Sequence, residues 1–594
     1  MTSMTRRNSA GVRNTGSDED DAPPLVPPKP GLLARAAQGG YQPVQQHDAD
    51  LLHPWRSPLP GERKRSWWEL GIVGEGTPRL GTAPSPRLVT QSLSRSTYTC
   101  PDPRLPRPNP PNIRQFSKPV PLPAASPDFS LSLSYSTTTC NSFVLLISRT
   151  DIARCREMER TVNPASDDPT VESWIRTKMG PDSFNVQLEG AERVAVEIPS
   201  EYRGDCRYLY RFRLNNAGKV WMNVTWTYED YQAFFELDAP EGSRPKPAIF
   251  MRPLVSKPVE LDLCPSTCRQ YTPPRLGPAS SAAPAVRLDS SSSGSSFLPS
   301  LLGSPSAPPP VDIDSSSLPT CHHSSHPLSG SYIPSPHLDL VHPPYPVPLD
   351  TRYTRPTAGL YSYVPSGCVW RHAGRRFVDH TSCITRPHSA LLMGDSHARG
   401  VFDVVKHRLE GSDSVAEASP KALNKNAHVG NLYMEFAWDP YMTAEFSCDY
   451  MLKFDSIAFS SGTHQLSWNC PRAATLISAL SMPLRTWPRL LRQCHAQHKS
   501  HKSPQLVFLT MPAFHPQLHN HDCRTGPRIT YVNQRLSEIA LEEGWEVLDV
   551  EGYVKPVAVD QIVGDGVHYL RLDAAEPIAD EYLDILGICN DVEG

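Results

Sequence analysis

Three residues whose types together support acyl transfer lie in the C-terminal part of the chain: Ser396, Asp565 and His568. A serine hydroxyl is a poor nucleophile until a base takes its proton, and histidine is the usual base. The base in turn needs an acceptor that fixes its tautomer. Ser396 lies in Leu391-Leu392-Met393-Gly394-Asp395-Ser396-His397-Ala398-Arg399, an apolar run that leads into Gly-Asp-Ser. A helix starting there would place its dipole and free N–H groups beside a developing oxyanion. His568 lies in Gly564-Asp565-Gly566-Val567-His568-Tyr569, three residues after Asp565. Each piece alone has an ordinary explanation. Asp and Ser are preferred helix starters, and a glycine-rich turn can carry a histidine without a role. Taken together, after the first strand and before the last helix of one predicted layer structure, they read as a catalytic triad.

A third piece is Phe454-Asp455-Ser456-Ile457-Ala458-Phe459-Ser460-Ser461-Gly462-Thr463-His464. It reads as a strand that ends on the same edge. The Gly462 N–H would face the oxyanion beside the Ser396 N–H, or Gly462 is a plain strand-ending turn. His464 is a candidate substrate contact. Arg399 either anchors the first helical turn or is a solvated helix-face cation.

These residues need elements to position them. From about Tyr361 onward, short apolar runs alternate with helical stretches. Strands are predicted at 389–393, 429–436, 454–460, 506–510 and 546–550. Helices are predicted at 397–409, at 473–493 (interrupted near Pro483 and Pro488), at 529–543 and at 572–586. Alternating strands and helices predict a parallel sheet covered on both faces, with its site along the strand C-termini. The fold class is therefore α/β in the C-terminal half, residues 356–594.

Upstream, residues 161–272 read as β-rich, with period-two runs such as Tyr208-Leu-Tyr-Arg-Phe-Arg-Leu and a turn at Asn215-Asn-Ala-Gly218. Several short strands at this spacing predict a small sandwich. Residues 1–160 and 273–355 read as disordered, on their Pro-rich runs and Ser/Thr tracts. The stretches near 76–150 and 273–348 look like inserted filler, such as translated intron, a reading the transcript sequence would test.

Composition excludes several classes. The 63 prolines are roughly twice the usual share of about 5 %. Lys+Arg 58 against Asp+Glu 62 gives a net charge of −4, with no basic stripe for nucleic acid. The 14 cysteines include one close pair, Cys264 and Cys268, with no second pair to complete a zinc set. Those two read as free thiols or as one half of a disulfide set. Cys368, Cys383, Cys448, Cys470, Cys494, Cys523 and Cys589 are an odd number, so one is unpaired or pairs upstream. The sequon Asn223-Val224-Thr225 would suit an oxidising compartment. No signal peptide is expected at the polar N-terminus, and no run reaches the ~18 apolar residues of a membrane span.

The three constellations together resemble the SGNH/GDSL-like superfamily in its PC-esterase branch. That branch holds the trichome birefringence-like polysaccharide O-acetyltransferases, the neurexophilin and PC-esterase proteins, and the capsule O-acetyltransferase relatives. The matching residues are Gly394-Asp395-Ser396-His397, Ser461-Gly462-Thr463-His464 and Asp565-x-x-His568. Val364-Pro365-Ser366-Gly367-Cys368, followed by Cys383, resembles the cysteine-bearing segment before the first strand in that branch. The resemblance covers about residues 360–590, and the β-rich segment before it more faintly resembles an Ig-like domain. It implies a flavodoxin-like α/β/α sandwich and a double displacement without metal or cofactor. Ser396 would take an acyl group, usually acetyl, with His568 as base and Asp565 orienting it. A sugar hydroxyl would then accept the acyl group, or water in an esterase. A binding module with a vestigial triad is a further reading. The partners implied are a glycan or polysaccharide and an acyl donor, in the secretory pathway or Golgi. Members normally have a signal anchor, and none is expected from this sequence. A Gly-x-Asn block, usual in the superfamily, has no clear equivalent here; His464 or Asn469 would stand in.

Overall fold

The computed structural model describes residues 100–105, 111, 115–161, 169–234, 250–264, 268, 270–271, 318–323, 328–334, 361–370, 384–410, 424–441, 447–469, 471–498, 503–514, 523–558, 568–569 and 573–588. Its first part is a pair of sheets. Their strands are β1 (Val120–Leu122), β2 (Phe129–Tyr135), β3 (Ser142–Arg149), β4 (Ser183–Gly190), β5 (Val194–Val196), β6 (Glu201–Tyr202), β7 (Arg207–Arg213), β8 (Gly218–Tyr228), β9 (Arg252–Pro253) and β10 (Val259–Leu263). One sheet runs β1-β2-β3-β7-β6 and the other β10-β8-β4-β5, with β9 also on β8. Leu131 and Leu133 of one sheet and Phe184, Val186, Leu188, Val220 and Met222 of the other belong to a single buried core.

This corrects the expectation of disorder over 1–160, because three core strands lie between 120 and 149. The physical reason is visible in β2, Phe-Ser-Leu-Ser-Leu-Ser-Tyr. Its serines are the outward half of a period-two alternation whose leucines are buried. Read as composition, the same stretch is merely Ser-rich. Integral core strands also do not fit inserted filler over 120–149. Two helices, α1 (Ile152–Thr161) and α2 (Pro169–Trp174), follow β3.

The stretch 273–355 likewise holds a described strand. There β11 (Gly330–Pro334) pairs antiparallel with β12 (Tyr361–Pro365). The Arg193 N–H donates to the Tyr332 carbonyl at 2.9 Å. The Tyr332 hydroxyl donates to the Tyr553 carbonyl at 2.8 Å. The ribbon therefore joins the two sheets to the second part of the chain.

That second part is a mixed α/β layer structure. Its strands are β13 (His388–Gly394), β14 (Asn424–Val429), β15 (Leu432–Trp438), β16 (Ser456–Ser460), β17 (Gln505–Leu509) and β18 (Glu546–Leu548). Its helices are α3 (Ser396–Glu410), α4 (Cys448–Met451), α5 (Thr463–Asn469), α6 (Ala473–Gln497), α7 (Gly526–Glu542), α8 (Val550–Val554) and α9 (Ala575–Ile585). The sheet order is β14-β15-β13-β16-β17-β18, parallel throughout except for the edge strand β14. The single strand expected at 429–436 is in fact a hairpin that turns at Gly430, whose φ is 58°.

The alternation of β13 explains the layers. Ala390 and Leu392 join one core with Val401, Phe402 and Val405 of α3 and Ile578 and Tyr582 of α9. Leu391 and Met393 join another with Leu480 and Leu484 of α6 and Val532 and Leu536 of α7. This second core also takes in Tyr228, Tyr231 and Phe234 of the first part, so residues 356–594 do not bury it alone.

Helix α6 runs unbroken through Pro483 and Pro488, against the expected interruption. A proline leaves the carbonyl four residues back without its helical donor. For Pro488 that carbonyl belongs to Leu484, and the Trp545 indole N–H donates to it at 2.8 Å.

Candidate active site

The five parallel strands, taken in chain order β13, β15, β16, β17 and β18, lie side by side as second, first, third, fourth, fifth. The chain leaves β13 in one direction and returns on its other side, so the switch point, where open α/β sheets bind ligands, falls at the C-terminal ends of β13 and β16. Register brings the candidate residues together there. Gly394 pairs with Ser460 on one side and Trp438 on the other. Ser396 and Gly462 each follow two residues beyond that level.

Two glycines are required by the geometry. Gly394 has φ 139°, and a Cβ there would meet the Ser460 carbonyl oxygen at 1.7 Å. Gly462 has φ 123°, and its Cβ would meet the Met511 sulfur at 2.6 Å. Both are backbone conformations that side chains rarely adopt.

Asp395 is fully buried and does the work of a helix cap. Its Oδ1 accepts from the His397 N–H at 2.9 Å. Its Oδ2 accepts from the Thr463 hydroxyl. One carboxylate thus fixes the start of α3 and ties it to the loop after β16. The end of β15 is tied in too: the Asp439 N–H donates to the Gly394 carbonyl at 2.8 Å, and the Ser461 hydroxyl to the Pro440 carbonyl at 2.8 Å.

Ser396 is the first residue of α3 and half-buried. Beside it His397 is 2 % exposed. Its ring packs 5.3 Å from the His568 ring, 5.5 Å from Phe514 and 6.1 Å from Tyr569. The Tyr569 hydroxyl donates to the His397 carbonyl at 2.8 Å. Burial holds the His397 imidazole down at about 3, with the charges of His568, Arg524 and His464 acting in the same direction and Asp395 against it. His397 is therefore a neutral wall at neutral pH.

The structure thus brings Ser396 and His568 into one site, with His397 between their elements. Among the described residues no hydrogen bond joins the Ser396 hydroxyl to His568. Catalytic hydrogen bonds are often open before substrate binds. Asp565 lies outside the described residues, as do Cys383, Cys470, Cys589 and the Asn469 side chain.

His464 is half-buried on the β15 side, edge-on to Trp438 at 5.5 Å and Tyr441 at 6.0 Å. Tyr441 is 44 % exposed. Arg399 is neither a plain anchor nor fully solvated. Its guanidinium lies 5.6 Å over the Trp438 ring, and partial burial lowers its pKa. On the far side, Arg524 lies 4.9 Å over Phe514. Chain-level reading missed Thr463, Trp438, Phe514 and Arg524. Only Thr463 had a signal, lying within the quoted Ser-Gly-Thr-His.

The loop after β17 forms the remaining wall, and Asn533 fixes it. Its Oδ1 accepts from the Met511 N–H at 2.9 Å, and its Nδ2 donates to the Met511 carbonyl at 2.7 Å and to Glu551 at 2.8 Å. Glu551 in turn bonds Lys555 at 2.6 Å, and Lys555 faces Glu197 of the first part at 3.9 Å.

No family model, curated protein or solved structure matches this chain.

The cysteines divide otherwise than by metal. The sulfurs of Cys140, Cys264 and Cys268 lie within 4.8 Å of one another. All three are consumed in the disulfides Cys140–Cys264 and Cys100–Cys268 and offer no thiolate. Cys368 pairs upstream with Cys321, Cys448 pairs with Cys494, and Cys523 is also disulfide-bonded.

Proposed function

We propose that this chain is a serine-dependent acyltransferase acting on a glycan, of the SGNH type and PC-esterase branch, with a flavodoxin-like α/β/α sandwich and an accessory Ig-like sandwich. One observation carries the reading. At the point where the strand order reverses, Ser396 heads a helix at the end of the first strand, with Gly462 beside it and His568 in the same site.

In this reading Ser396 Oγ attacks the carbonyl carbon of an acyl donor, usually an acetyl ester, while His568 takes the hydroxyl proton. The tetrahedral oxyanion is held by the Ser396 and Gly462 N–H groups. The donor's alkoxide leaves with the proton from His568, and acyl-Ser396 remains. A sugar hydroxyl then gives its proton to His568 and attacks the acyl carbon; the intermediate collapses, expelling Ser396 Oγ, which takes that proton back from His568. Asp565 orients His568 in this scheme. Water in place of the sugar makes the same residues an esterase. Exposed Tyr441, with Trp438 and His464, gives a sugar ring an aromatic wall beside the serine. The disulfides support folding in an oxidising compartment, hence the secretory pathway. No described helix is long and apolar enough to cross a membrane.

The test is acetate release from p-nitrophenyl acetate by the full chain, beside Ser396→Ala. The full chain is needed because the second core is shared between the two parts. Loss of the nucleophile is expected to cost several orders of magnitude in kcat. Adding a glycan acceptor then separates transferase from hydrolase. A folded wild type as inert as the variant would refute serine chemistry and leave a non-catalytic glycan- or protein-binding module.

A further inference from the structure

The sequon Asn223-Val224-Thr225 is the one Asn-x-Ser/Thr in the chain, and acyl transfer makes no use of it. It lies in β8, where Val220, Met222, Val224 and Trp226 enter the sandwich core. Strand alternation therefore puts Asn223 and Thr225 on the opposite, outward face. Both are half-buried, and among the described residues neither side chain makes a hydrogen bond.

That face is covered at both ends, where Trp221 and Thr227 are buried, and is partly open between them at Asn223 and Thr225. On one side Asn223 is opposite Gln187 of β4, and Thr225 is opposite Asn185. On the other side β10 pairs with β8 only from Gly218 to Met222, and β9 begins pairing at Thr225. Asn223 falls in the gap, with no strand residue in register against it.

The disulfides supply the compartment. Cys100–Cys268, Cys140–Cys264 and Cys155–Cys206 staple this sandwich, and no free cysteine remains among the described residues. Disulfides of this kind persist in the oxidising lumen where asparagine glycosylation occurs.

We propose that Asn223 carries an N-linked oligosaccharide whose first N-acetylhexosamine lies over the part of β8's outward row left open at Asn223 and Thr225. The bond formed joins Asn223 Nδ2 to the anomeric carbon of a lipid diphosphate-linked oligosaccharide. The bond broken joins that carbon to the diphosphate, which leaves with the lipid, and one Nδ2 proton is lost to the released diphosphate. The sugar then covers the part of the outward row that Asn223 and Thr225 leave open.

The experiment expresses the full chain behind a cleavable secretory leader in insect cells. Total protein, cellular and secreted, is treated with peptide-N-glycosidase and read by gel shift and peptide mass. One glycan is expected, with conversion of Asn223 to aspartate on its removal. Asn223→Gln and Thr225→Val are expected to lose the shift, and Thr225→Ser to keep it. Because attachment precedes folding, a variant that fails to fold still reports. An unmodified Asn223 in wild-type protein would overturn the proposal.

Discussion

Replacing His397 by phenylalanine should remove an acid-labile part of the stability. The His397 ring is buried among Phe514, His568 and Tyr569 and stays neutral because burial holds its pKa at about 3, against 6.5 in the unfolded chain. The unfolded chain therefore binds this proton first as the pH falls. The stability tied to the neutral ring is complete above pH 6.5 and is lost as the pH descends towards 3. Each pH unit in that window is worth about 1.4 kcal/mol, so roughly 2 kcal/mol is gone at pH 5 and about 5 kcal/mol below pH 3. The assay is urea unfolding of the full chain, wild type and His397→Phe, at pH 7.5, 6.5, 5.5 and 5.0. Wild type should lose about 2 kcal/mol more than the variant between pH 7.5 and 5.0. Two stability curves that fall in parallel would refute a buried neutral imidazole. Phenylalanine keeps the apolar wall, so the pH-7.5 values should be close.

Two further outcomes bear on how the site is held. Thr463→Val leaves the buried Asp395 carboxylate one donor short, and unfolding should show a loss of about 1–3 kcal/mol. Acetate release should fall with it, because the same bond fixes the turn that presents Ser396; unchanged values in both assays would count against it. Asn533→Leu deletes three hydrogen bonds and strands both Met511 backbone groups, for an expected loss of about 3–5 kcal/mol. It should also slow acetate release more than an equally destabilising change remote from the site, and equal slowing would assign Asn533 to stability alone.

The sequence by itself determined much of the second part. Apolar runs at 389–393 and 506–510 became β13 and β17 within a residue or so. Fully buried strands read as continuous hydrophobic segments, and no other element uses them as cheaply. Gly394-Asp395-Ser396 announced a strand-to-helix turn for a local reason, since a glycine of positive φ and a capping carboxylate act within three residues. The boundary that local reading missed was at 160, because β2 hides its leucines among serines. What only the tertiary structure decided depends on groups far apart in the chain. Asp395 meets Thr463 only because β13 and β16 lie side by side. His397 becomes a neutral wall only once Phe514, His568 and Tyr569 enclose it, since burial and not residue type sets its charge. Cys368 finds Cys321, and Tyr228, Tyr231 and Phe234 join the core beside α6 and α7. No local pattern encodes these pairings. They follow from which apolar faces must be covered once the strands have taken their order.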